Sequence, residues 1–178
     1  CNRIRKALHL PDSQVTAVYN GYSTHFKKQE TLDKDIIQKY IPQEGFLFFL
    51  GNTDSKKNAA RTLKAYASYL KKSKVKRPLL IADLKEEYID ILLKQESITE
   101  SFGIPMLEAM ACGTPIVTSN TSAMPEVAGQ GAILINPENP QEIADALLKL
   151  ENDVIFYQEQ VVYGLERVKQ FSWKNTAE

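Results

Sequence analysis

Four short apolar runs, at residues 46–50, 78–82, 115–118 and 132–135, are separated by stretches with helical periodicity. That alternation constrains the chain more than any other feature. Strands that alternate with helices pair in parallel and are covered by their own crossover helices. The fold class expected is therefore α/β, a parallel sheet with helices on both faces. A further strand is expected at residues 15–19, ending in Asn20-Gly21, and a helix at 33–40. No polar residue interrupts the run at 46–50, which predicts a strand buried on both faces with Phe46, Phe48 and Phe49 in the core. The helix after it is expected to bury Leu63, Tyr66, Ala67 and Leu70. One starting at 83 or 85 and ending at 94 would present Tyr88, Ile89, Leu92 and Leu93. Asn139, Pro140 and Glu142 form a helix-opening signal of cap, first-turn proline and glutamate three residues on. A last helix spans about 154–168.

The chain of 178 residues suits one domain, residues 1–178, with a substantial core. Its 22 lysines and arginines balance 22 aspartates and glutamates, which argues against nucleic-acid binding as the main task. The balance leaves room for a local basic site. No apolar run approaches the ~18–20 residues of a membrane span, and no signal peptide is legible. The chain opens on Cys1, inside a basic helical pattern, so it reads as a piece of a longer protein. Cys1 and Cys112 lack metal-ligand spacing; reduced thiols, a cytoplasmic setting and a buried Cys112 are expected. His9 and His25 have no partner at ligand spacing and are read as structural or exposed.

The chemistry is concentrated between Glu100 and Ser119. Phe102-Gly103 is a bend where backbone N–H groups can approach a ligand, because glycine has no Cβ. Pro105 suits a first helical turn. Met106, Leu107, Met110 and Ala111 then make one apolar helical face, and Gly113 is placed to end the helix in a left-handed conformation. The helix N-terminus of such a unit attracts anions, phosphate above all. Glu100 before the bend and Glu108 on the helix can both line one cleft.

This segment resembles the signature of the group 1 (family 4) retaining glycosyltransferases. In that signature two glutamates with seven residues between them flank a Phe-Gly-hydrophobic-Pro turn. The likeness continues through Glu-Ala-Met-Ala-Cys-Gly-Thr-Pro-Ile-Val to Met124-Pro125-Glu126-Val127-Ala128-Gly129, where Glu126 looks like framework. The resemblance implies the Rossmann-like, donor-binding C-terminal half of a GT-B fold. It implies a hexosyltransferase that takes a sugar from a UDP- or GDP-sugar, with no cofactor and no metal, and passes it to a glycan or lipid-linked acceptor held by an N-terminal half. Peripheral membrane association of the full-length protein is compatible with that role, and the isolated fragment would be inactive. Glu100 and Lys57 are carried over as catalytic residues. Glu108, Ser101, Phe102, Gly103, Ile104, Lys56, Asn52 and Gly21 are carried over as donor-binding residues. Glu108 would hold the ribose and Glu100 would face the sugar.

Two departures accompany the likeness. A strand, a helix and a further strand normally precede the first signature glutamate, whereas residues 94–99 join the two parts directly. A few tens of residues are therefore expected to be missing near 94–97. The phosphate-gripping run is Lys56-Lys57-Asn58, with Asn52 where arginine is common; lysine keeps the charge without the planar fork of arginine. A nucleotide-sugar-binding module without catalysis, and a GT-B sugar-nucleotide epimerase, stay open as alternatives.

Overall fold

A computed structural model describes residues 6, 9, 11, 20–31, 38–39, 45–51, 54, 57–90 and 104–172. In chain order these form β1 (Leu47–Leu50), α1 (Ala59–Lys72), β2 (Leu79–Ala82), a 3-10 turn (Glu86–Tyr88) and α2 (Ile104–Ala111). β3 (Val117–Ser119), α3 (Met124–Ala128), β4 (Ile133–Ile135), α4 (Pro140–Asn152) and α5 (Val154–Val168) follow. Of the helix expected at 33–40, Gln38 and Lys39 are described and are helical. The strand expected at 15–19 and the missing segment expected near 94–97 lie outside the described residues.

The strands pair in parallel, as the alternation required. β1 lies beside β2 with Leu47 opposite Leu79, and β3 beside β4 with Val117 opposite Ile133. Among the described residues these are two separate two-stranded ladders. The second is covered on the face that bears Val117, Ile133 and Ile135, while Leu134, which points the other way, is exposed. Val117, Ile133 and Ile135 pack with Ala65 of α1 and with Ile143 and Ala146 of α4. Ile116 and Ala132 pack with α2, α3 and the end of α5 through Met106, Leu107, Met110, Met124, Val127 and Val168.

Helix α2 follows its sequence closely. Met106, Leu107, Met110 and Ala111 are all buried, and Gly113 ends the helix at φ 71°. Its N–H donates to the Met110 carbonyl at 2.9 Å and that of Thr114 to Ala109 at 3.0 Å, the paired bonds of a Schellman cap. Helix α5 comes close enough to α2 for Gly164 to matter: a Cβ there would meet Met110 Cγ at 3.3 Å. At α4, Asn139 Oδ1 accepts the Gln141 N–H at 3.0 Å. The Glu142 carboxylate accepts the Asn136 N–H at 2.8 Å and the Asn139 side-chain amide at 3.0 Å. The cap is the one expected, and the turn before it is braced as well.

Three expectations are corrected. β1 is not buried on both faces: Phe48 and Leu50 are 58% and 40% exposed, and Phe46 is exposed too. Only one side of the strand meets α1, where Phe49 packs with Ala59, Ala60 and Leu63. The buried stripe of α1 is turned from the expected one. Ala65 and Tyr69 are buried while Ala67 is exposed, because the small Ala65 lets α4 approach and the Tyr69 hydroxyl reaches Glu151 of α4. Cys112 is exposed. It extends the outer face of α2, with Pro105, Glu108 and Ala109, rather than the core face.

Candidate functional site

In a parallel α/β unit, ligands meet the loops that leave the carboxyl ends of the strands. Two such loops are joined here. β1 ends at Gly51, whose N–H donates to the Ala82 carbonyl at 3.2 Å. The chain then passes Lys57, whose own N–H donates to the Asp54 carbonyl at 2.9 Å, and enters α1 at Asn58. Asn58 has φ 55°, a left-handed conformation that asparagine tolerates better than most side chains. Its side chain does not cap α1. The amide donates instead to the Pro137 carbonyl at 2.8 Å, in the braced turn that follows β4.

This geometry leaves the N-terminus of α1 without a side-chain cap and without an acidic residue in its first turn. Lys57 stands half-buried just before it, and no ion pair of its ammonium is present among the described residues. Arg61 lies in the first turn, with a guanidinium nitrogen 3.5 Å from Asn58 Oδ1. An uncapped helix end flanked by two cations attracts anions through both its dipole and its unsatisfied N–H groups.

The second part of the site lies on α2. Glu108 is half-buried on the face opposite the core, and no hydrogen bond of its carboxylate to the described residues is present. The loop at 20–31 lies along the same helix. Gly21 is buried, Tyr22 packs onto the core cluster of α2, and the Lys28 side chain runs beside Gly113. Gly21 and the helix carrying Glu108 are thus brought together. His25, on that loop, is exposed and shares a 2.9 Å hydrogen bond with Ser23. Ile104 begins α2. Glu100, Ser101, Phe102, Gly103, Lys56 and Asn52 lie outside the described residues.

The sequence reading missed three contributors. Asn58 closes a basic run, and nothing beside it in the sequence marks the left-handed turn it adopts. Arg61 had no distinguishing spacing. Arg167, far along the chain, donates Nε to the Val127 carbonyl at 2.9 Å and another guanidinium nitrogen to the Glu126 carbonyl. It also lies 5.0 Å from the Phe171 ring centre. It ties the end of α3 to α5, which accounts for the framework character of residues 124–129.

The chain is similar to several known proteins. The family model described as "Glycosyl transferases group 1" matches residues 89–167. The O-antigen chain mannosyltransferase B of Escherichia coli is 26% identical over 174 residues, covering 79% of this chain and 46% of that protein. The chain therefore spans about half the length of this relative. The crystal structure of the C-terminal domain of a glycosyl transferase group 1 family protein from Francisella tularensis superposes with a TM-score of 0.63 at 19% identity. That match covers 82% of this chain and 94% of the domain. WaaG, a glycosyltransferase involved in lipopolysaccharide biosynthesis, superposes at 0.70 and 14% identity, over 94% of this chain and 55% of WaaG.

Proposed function

We propose that the chain, whose residues 89–167 match the group 1 glycosyl transferases, is the donor-binding half of a retaining hexosyltransferase. The donor is a nucleoside diphosphate sugar, and the acceptor, a glycan or lipid-linked saccharide, is held by an N-terminal half. Mannose is the sugar favoured, since the relative matched over most of this chain is named a mannosyltransferase. The observation that carries the reading is the bond from Asn58 to the Pro137 carbonyl. It joins the loops after β1 and β4 beside the uncapped end of α1 and the half-buried Lys57.

The chemistry follows from where charge develops. Breaking the anomeric C–O bond leaves positive charge on the sugar and negative charge on the departing diphosphate. Lys57 and the α1 N-terminus would meet the diphosphate, together with Lys56, Asn52 and the backbone N–H groups of Ser101, Phe102, Gly103 and Ile104. Fixed donors aimed at developing charge are commonly the largest catalytic term. The half-buried Glu108 would accept hydrogen bonds from the vicinal ribose hydroxyls, which a carboxylate does more strongly than a neutral acceptor. Glu100 would face the sugar, orienting its hydroxyls and stabilising the cationic anomeric carbon. Gly21 would border the cleft from the loop along α2. No part of this scheme asks for a metal or cofactor. The setting proposed is cytoplasmic.

Assay of the full-length protein with GDP-mannose and a panel of other UDP- and GDP-sugars tests the reading. Transfer with retained anomeric configuration is expected. Donor binding without turnover across the panel would leave a non-catalytic module, and epimerised nucleotide sugar would place the protein in the other class.

A further inference from the structure

The chain is neutral as a whole, yet residues 55–82 contain nine lysines and arginines and no aspartate or glutamate. Lys57 and Arg61 stand at the start of α1. Lys71, Lys72, Lys74, Lys76 and Arg77 crowd the turn that leads from its end into β2. Lys71, Lys72, Lys74 and Lys76 are exposed, and Val75 projects among them with 54% of its surface open.

Cations in the last turn of α1 complement the helix dipole, which accounts for Lys71 and Lys72. It does not account for Lys74, Val75 and Lys76, which lie beyond the helix. The local acids are already engaged. Asp145 pairs with Lys72 at 3.3 Å, and the Glu151 carboxylate accepts from the Tyr69 hydroxyl and from Ser73 Oγ, the latter at 2.8 Å. No ion pair of Lys71, Lys74 or Lys76 is present among the described residues.

The turn is held in shape from within. Ser73 Oγ accepts the Lys76 N–H at 2.7 Å, the Tyr69 hydroxyl accepts the Arg77 N–H at 3.2 Å, and Tyr66 donates to the Arg77 carbonyl at 3.1 Å. Lys76 is kept at φ 53°, a conformation lysine rarely adopts. The cations are thus presented on a braced projection. It lies at the opposite end of α1 from Lys57, about 20 Å away at 1.5 Å per residue, on the edge where the strands begin.

We propose that this turn is a docking point for an anionic bilayer surface. The lysines would meet lipid phosphates, Val75 would enter the headgroup region, and the strand ends that bear the candidate site would face away from the membrane. The exposed aliphatic tip favours a bilayer over a soluble polyanion, which offers an aliphatic side chain nothing. The proposal does not depend on the transferase reading.

Flotation of the full-length protein with phosphatidylcholine vesicles, with and without phosphatidylglycerol, tests it. Binding is expected only to the anionic vesicles and should fall as salt rises. Each lysine lost should weaken partitioning about fivefold, so the triple variant Lys71→Gln, Lys74→Gln, Lys76→Gln should lose on the order of a hundredfold. Val75→Glu should weaken it as well. Affinity for UDP and GDP, measured by calorimetry, should stay unchanged in all these variants, which separates this test from that of the donor site. The proposal is overturned if the wild type ignores anionic vesicles, or if the triple variant binds them as the wild type does. Loss of heparin binding in the triple variant, with no vesicle binding by the wild type, also overturns it and assigns the turn to a soluble polyanion.

Discussion

The side-chain amide of Asn58 donates to the backbone carbonyl of Pro137 at 2.8 Å, across 79 residues of sequence. That bond bridges the N-terminus of α1 and the loop after β4, and the first turn of α1 has no side-chain cap. Asn58→Gly keeps the left-handed backbone available and removes the side chain, with its bond to Pro137 and its longer contact with Arg61. It should cost about 1 kcal/mol of stability in urea unfolding and weaken nucleoside diphosphate binding several-fold. Loss of stability with unchanged nucleotide affinity would make the bond a strap of the fold and nothing more.

Lys57 stands half-buried at the same helix end. Lys57→Ala in the full-length enzyme should lower kcat/KM by about 2–4 kcal/mol of transition-state stabilisation, the range for a fixed donor aimed at developing charge. Lys56→Ala should matter less, and Lys57→Arg should recover part of the loss. Steady-state rates decide the point: a wild-type kcat/KM for Lys57→Ala would show a solvated helix end.

The two signature glutamates should divide binding from turnover. Glu108→Gln replaces a charged acceptor with an amide and should weaken free UDP or GDP by about 1–2 kcal/mol. Glu100→Gln should leave that affinity nearly unchanged and slow turnover of the intact donor. Calorimetry beside kinetics measures both, and equal losses of nucleotide affinity would refute the division.

Tyr69 links pH to stability. Its phenol is held above the ordinary tyrosine range, chiefly by burial and next by its hydrogen bond to Glu151. The folded chain therefore keeps this proton more tightly than the unfolded chain does. The stability it contributes is fully present below the unfolded pKa, about 10, and is lost as pH rises from there through the folded value. Tyr69→Phe should flatten that alkaline decline. It should also cost about 1–3 kcal/mol at neutral pH, because the Arg77 N–H loses its acceptor. Urea unfolding of wild type and variant, at neutral pH and above pH 10, gives the comparison. Parallel declines in the two proteins would remove Tyr69 as the cause.

Local signals read from the sequence held where one residue and its near neighbours settle the outcome. Gly113 adopts φ 71° and closes α2 because a side chain there would strain the left-handed turn. Asn139 caps α4 by accepting the Gln141 N–H on its side-chain Oδ1, a bond that spans two residues. The apolar face of α2 was legible for the same reason, since helical spacing alone places Met106, Leu107, Met110 and Ala111 together. The signature glutamates were legible only through family likeness. Their spacing has no meaning by itself.

What the amino-acid order determined by itself was the succession of elements, the parallel pairing and the helix ends, because these depend on periodicity, on backbone preference and on bonds a few residues long. Tertiary packing alone decided which surfaces were covered. Phe48 and Leu50 are as apolar as Phe49, yet only Phe49 faces α1. Ala67 had as good a claim to the core as Ala65, until α4 packed against one side of α1. The site depended on packing too. Nothing near Asn58 in the sequence announces Pro137, and nothing near Val127 announces Arg167. Burial and long-range hydrogen bonds are properties of pairs of elements, and no local pattern carries the position of the partner.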